Sequence, residues 1–268
     1  MNPTDLIALL GRTWPRLVLF PAGVSALAVA ALLIWWQYRV HNQPLVWDCQ
    51  PFGSVAQLSV IALPWLGLAL LPIPLASDIG RSIDVVVALA CLEWPRFWWH
   101  MQQRAAVAMP DRIGRLLQIP GVVGTVLACI LLALPTNSFD LPSLMAVPNR
   151  SGPMTGQIGH WFGAVLLLLV WRELRIPSDL PLFAQVGWAI RSIGLVALAA
   201  LPWLAFLNED QAWYAPAILV GVGLLAAVID RFAQHHQQIW QRVERWCLWL
   251  GFLIVAAHAA EAIWRQLA

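Results

Sequence analysis

Arg191 sits eight residues into a long apolar stretch that begins at Phe183. A guanidinium keeps its charge in apolar surroundings. An ionisable side chain inside a lipid-embedded helix is costly and therefore marks a site worth explaining. Other charges fall in similar places. Glu93 and Arg96 stand three residues apart, on one face of any helix that holds them, with Asp84 upstream. Asp230 and Arg231 close another apolar stretch, and His258 and Glu261 share a face of the last one. Carboxylates, imidazole and arginines threaded through a low-dielectric bundle are the parts of a polar track that passes protons between helices. The other reading is a set of structural or interfacial ion pairs, with long side chains snorkelling to water. Depth favours the functional reading for Arg191. Position near the ends of their stretches favours the structural one for Asp84, Arg96, Asp230 and Glu261.

Other chemistry finds little support. His235 and His236 are adjacent, so on a helix they point about 100° apart and do not face one metal together. No Asp, Glu or Cys follows within a helical turn to complete a site. The reading there is a solvated loop. Cys49, Cys91, Cys129 and Cys247 form no CxxC pair and no metal-ligand spacing. G-x-S-x-G, HExxH and Gly-rich phosphate loops are missing from the sequence. The expectation is a chain that catalyses nothing alone and holds no cofactor or metal.

The elements that must position these charges are read from hydropathy. Of 268 residues, 60% are hydrophobic and 11% charged, against about a quarter charged in an ordinary soluble domain. The apolar residues come in long blocks at 17–36, 55–76, 83–99, 116–134, 155–171, 183–207, 214–229 and 246–264. A block of about 20 residues makes about 30 Å of helix, enough to cross a bilayer. Tryptophans crowd the block ends, as at Trp35, Trp36, Trp98, Trp99, Trp171 and Trp264, where indole rings anchor at headgroup level. The expected fold is all-α: one polytopic membrane domain over 1–268, with about eight spanning helices and short loops. The net charge of +2 and the lack of a basic run argue against a nucleic-acid partner.

Orientation follows from arginine, which supplies all sixteen basic residues. With the amino terminus outside, the cytoplasmic loops carry Arg39, Arg96, Arg104, Arg112, Arg115, Arg172, Arg175, Arg231, Arg242 and Arg245. The outer segments carry Arg12, Arg16, Arg81, Arg150 and Arg265. The positive-inside rule thus puts both termini outside a bacterial inner membrane.

One short stretch adds a family resemblance. Glu173, Arg175, Pro177, Asp179 and Pro181 follow the fifth block at the spacing E-x-R-x-P-x-D-x-P. This resembles the A-E-T-x-R-x-P-x-D-x-P signature of a superfamily of membrane subunits. Its members are the subunit beside the quinone site of respiratory complex I and the small membrane subunit of formate-hydrogenlyase and hydrogenase-4-type complexes. Ala90-Cys91-Leu92-Glu93 is similar to the A-G-L-D of the hydrogenase branch. Arg191 followed by Leu201-Pro202-Trp203 is similar to its L-R … F-P-W-G, and Ile229-Asp230 to its I-E before a basic loop. The departures are a shorter first cytoplasmic loop at 39–52, a sixth helix starting almost directly after Pro181, and Gln118 beside the place of a buried family glutamate. They imply a divergent member with part of the docking face and proton path missing.

The resemblance implies a membrane-anchor subunit of a complex-I-like or [NiFe]-hydrogenase-like respiratory assembly. It would link cytoplasmic iron–sulfur, hydrogenase-like or dehydrogenase-like subunits to an antiporter-like membrane subunit, with quinone as a partner in the quinone-reducing branch. Iron–sulfur or [NiFe] centres would belong to those partners. The residues expected to couple protonation or conformation are Glu93, Glu173, Arg175, Asp179, Arg191 and Asp230. Two alternatives stand beside it: a degenerate scaffold without proton-path activity, and a self-standing transporter or channel. The latter lacks the inverted repeat and paired broken helices that build a midplane site.

Overall fold

The computed structural model describes residues 24–41, 55–71, 84–103, 120–140, 144, 153–169, 176, 180–207 and 214–267. Among them are eight helices and no strand, with one isolated antiparallel bridge between Asp84 and Asp140. The helices are α1 (Val24–His41), α2 (Val55–Leu70), α3 (Val85–Gln103) and α4 (Pro120–Ala133). They continue with α5 (Met154–Leu169), α6 (Leu182–Leu204), α7 (Ala215–His235) and α8 (Gln237–Leu267). Each apolar block of the sequence thus overlaps one helix. Where water is scarce, a helix is the one way a single segment can satisfy its own backbone.

The helix α6 is the hub, packing against α1, α2, α3, α5 and α7. Its sequence explains this role, because Ala184, Gly187, Ala189, Ser192, Gly194, Ala197, Ala199 and Ala200 are all buried in it. Small side chains let backbones approach, which is how helices associate where the hydrophobic effect gives no preference for protein over lipid. At Gly187 a Cβ would drive into the carbonyl oxygen of Val60 on α2. At Gly163 on α5 a Cβ would come within 2.7 Å of the Ala128 carbonyl oxygen on α4. A second group, α4, α5 and α8, joins the hub through the α5–α6 contact.

Named contacts fix the direction of each helix. At one end, Gln185 Nε2 of α6 donates to Tyr38 Oη of α1 (2.9 Å), and Phe183 meets Trp98 of α3 edge-on (5.3 Å between centroids). These contacts bring the α1 and α3 carboxyl ends to the α6 amino end. At the opposite end, Val85 N of α3 donates to Phe139 O beyond α4 (2.8 Å). There too, His258 of α8 reaches both Thr155 of α5 and Asn137 after α4. Trp161 of α5 meets Trp203 and Phe206 at the far end of α6. The helices α7 and α8 reverse at His236. Direction therefore alternates along the chain.

Three helices, α6, α7 and α8, are long and apolar enough to cross a membrane. Their burial differs sharply: 72% of the apolar window of α6 is covered by protein, against 17% in α7 and 11% in α8. Leu224, Val228, Trp249 and Leu253 stand exposed on the last two, surfaces whose natural solvent is lipid or another apolar subunit. The chain is thus a helical protein of membrane character. The described parts of α2, α4 and α5 are apolar but shorter than a full span. The expected count of about eight spans goes beyond what length and hydropathy establish.

Candidate functional site

Among the described residues, the buried charges Glu93, Arg96 and Arg191 gather at the antiparallel crossing of α3 and α6. Gly194 of α6 lies against the Leu92 side chain, and the close approach brings the next residue on α3 to Arg191. Glu93 Oε1 accepts from Arg191 Nη2 at 2.7 Å. One turn along α3, Arg96 Nη1 stands 3.6 Å from Glu93 Oε2, an ion pair beyond good hydrogen-bond length. The side chains are 0% exposed at Arg191, 1% at Arg96 and 5% at Glu93. Snorkelling to water therefore does not describe Arg96: it points inward and takes part in the cluster.

One carboxylate thus faces two guanidiniums inside the bundle. Removing ions from water costs several kcal/mol each, offset only by close pairing and further hydrogen bonds. The Trp188 ring supplies additional attraction, with its centroid 5.4 Å from Arg191 Cζ. Arg191 is the tenth residue of α6, so it lies about 13 Å along a helix of about 34 Å. The cluster is therefore nearer the end that carries Tyr38, Trp98 and Gln185. Two turns closer to that end, Gln185 Nε2 donates to the Leu180 carbonyl (2.8 Å) as well as to Tyr38. A hydroxyl and an amide thus lie between the ion cluster and the bundle's end.

The other expected site residues divide plainly. Glu173, Arg175 and Asp179 lie outside the described residues. Ile176, a described residue between them in sequence, donates its backbone N–H to Gln37 Oε1 of α1 (3.1 Å). Leu180 packs with Val60, Ala184 and Trp188. Asp230 accepts from Gln234 Nε2 one turn along α7. Asp84 caps the start of α3 by accepting from Val86 N at 2.8 Å, the usual role of an aspartate at a helix amino end. His258 and Glu261 do share a face, as their spacing predicts, and Thr155 stands between them.

The histidine pair is not wholly loop. His235 ends α7 and hydrogen-bonds its ring Nδ1 to Arg231 O (2.9 Å), while His236 packs on Phe232. Among the described residues no three His, Cys, Asp or Glu side chains group as metal ligands would. Sequence reasoning missed Gln185, Trp188 and Thr155. Trp and Thr stand near the middle of any hydropathy scale and give little signal in an apolar helix, whereas Gln185, so near the start of an apolar block, is a visible cue. Protein-family models, curated proteins and solved structures offer no match to this chain, so the site must be argued from its own geometry.

Proposed function

We propose that this chain is a polytopic inner-membrane subunit with about eight spans and both termini outside. It anchors a complex-I-like or [NiFe]-hydrogenase-like respiratory assembly. The alternating directions of α1 to α8 support the multi-pass part of this reading, since consecutive crossings must reverse. The arginine distribution supports the orientation.

The observation that carries the functional part is the Glu93–Arg191 pair. Two stretches that resemble the family independently, 98 residues apart, meet in one buried 2.7 Å contact. In this reading the pair and Arg96 respond to a protonation or conformational change delivered at the Gln185 end, where Ile176 and Leu180 are held. The redox subunits dock on that cytoplasmic end, and the apolar faces of α7 and α8 meet lipid and an antiporter-like subunit. The metal centres of the assembly belong to its other subunits.

A degenerate scaffold is the second reading, and the closeness of the ion pair favours it. A fully engaged buried pair is as good a staple as it is a switch.

The first experiment is purification of the carboxyl-terminally tagged protein from native membranes in mild detergent, with mass spectrometry of what accompanies it. Antiporter-like and iron–sulfur or [NiFe] subunits are the expected companions. A clean, partnerless protein overturns the assembly reading and turns attention to transport by the protein alone in liposomes.

A further inference from the structure

At the opposite end of the bundle from the Gln185 contacts, five polar side chains from three segments form one chain of hydrogen bonds. Arg265 Nη2 donates to Glu261 Oε1 (2.8 Å), and Thr155 Oγ1 donates to Glu261 Oε2 (2.6 Å). The same hydroxyl oxygen lies 3.1 Å from His258 Nδ1. His258 Nε2 lies 3.2 Å from Asn137 Oδ1. Exposure falls steeply along this row: 52% at Arg265, 27% at Glu261 and 5% at His258. Gly156 leaves room for the ring, since a Cβ there would sit 3.3 Å from His258 Cε1.

Proton counting makes this row unusual. A threonine hydroxyl has one proton to donate. Given to the carboxylate, it leaves Oγ1 able only to accept, so His258 Nδ1 must carry a proton. The Asn137 carbonyl oxygen accepts as well, which claims a proton on Nε2. With a proton on both ring nitrogens, the row holds one proton more than a neutral imidazole and a carboxylate would, and this is the state in which it can pass a proton on. We propose that Glu261, Thr155 and His258 form a proton relay between the aqueous rim and the buried ring, with Asn137 as the positioning residue that keeps Nε2 protonated.

The transfer needs no movement of heavy atoms. The His258 Nδ1–H bond breaks as its proton joins Thr155 Oγ1, while the Thr155 O–H bond breaks and that proton joins Glu261 Oε2. Two bonds break and two form. The imidazolium and carboxylate become neutral imidazole and carboxylic acid, and one proton has moved from ring to rim. Around the row, α8 contributes Glu261 and Arg265, α5 contributes Thr155, and the turn after α4 contributes Asn137. Asp140, held by Ser138, and Asp84 are further carboxylates at this end of the bundle. The relay is independent of the redox-assembly reading.

The test uses the full chain in lipid nanodiscs with ¹⁵N-labelled histidine. The signals of His258 are identified among six histidines by their loss in His258→Gln. The expected spectrum has Nε2 protonated and Nδ1–H exchanging with water through the relay. Thr155→Val and Glu261→Gln should each slow that exchange on the order of a hundredfold, the low end of what a positioned acid or base supplies. Nε2–H exchange should stay unchanged, and Thr155→Ser should restore the wild-type rate. Should Thr155→Val not fold, Glu261→Gln decides alone. An unprotonated Nε2, unchanged Nδ1–H exchange in the variants, or equal change at both nitrogens overturns the relay.

Discussion

Among the described residues, Glu93 is the carboxylate that meets both Arg191 and Arg96, and its variants separate structure from function. Glu93→Ala takes from Arg191 and Arg96 the carboxylate they share, and removing one partner of a buried pair typically costs about 3 kcal/mol or more. Loss of that order in the unfolding of the purified protein is expected, with much of it recovered when Arg191→Met is combined with Glu93→Leu. Full additivity of the two changes in a double-mutant cycle would mean the 2.7 Å contact carries no energy. Glu93→Gln asks a different question, because it keeps a hydrogen-bonding side chain but cannot ionise. If the pair couples protonation, the assembly forms and its turnover collapses. A scaffold keeps both. Arg175 and Asp179 belong to the stretch resembling the family signature, and Arg175→Ala and Asp179→Ala are expected to abolish assembly or activity. Wild-type behaviour from both, in co-purification and turnover, removes the resemblance as a guide to function.

At the scale of elements, the close crossings are the fold's sensitive points. Gly187→Val places branched carbon against the Val60 carbonyl, where no rotamer change provides relief, so α2 and α6 must separate. Gly221→Val on α7 meets nothing within 4 Å and should leave the protein monodisperse. Size-exclusion profiles of the two variants, extracted side by side, check the contrast; equal profiles would show that α2 and α6 do not pack through Gly187. Hydropathy located these elements because apolar blocks in lipid have one backbone solution, and it placed the start of α6 within one residue. It misjudged ends where helix continues beyond the apolar part. The last block begins at 246, yet α8 starts at Gln237, because Gln241, Arg242, Glu244 and Arg245 are adequate helix formers that hydropathy scores as loop. The same blindness explains the site. Arg191 and Glu93 announced themselves as charges out of place, whereas their meeting depended on the Gly194–Leu92 approach, a three-dimensional fact. Thr155 became visible only once α5 and α8 were placed side by side.

The whole molecule poses the question of which end faces which side. The contacts give an internal test, because they sort residues to two ends without reference to any membrane. Tyr38, Trp98, Gln185 and the α7–α8 turn at His236 fall at one end; Phe139, Thr155, His258 and Arg265 fall at the other. Arg39, Arg231, Arg242 and Arg245 lie at or near the first end, and Arg265 stands at the second. Among the described residues the arginine-richer end is the one that the proposed topology puts in the cytoplasm. Fusion of alkaline phosphatase to the carboxyl terminus should therefore give active enzyme, and a green fluorescent protein fused there should stay dark. A single cysteine at His236, in a background with Cys49, Cys91, Cys129 and Cys247 replaced, should react with a membrane-impermeant maleimide only after the inner membrane is opened. A fluorescent carboxyl-terminal fusion together with labelling of intact spheroplasts at His236 would invert the topology. It would also move the Glu93–Arg191 cluster toward the outer face and place the Thr155–His258–Glu261 row in the cytoplasm. The redox-assembly reading would then lose its docking end, while the proton relay would keep its chemistry and exchange with the opposite compartment.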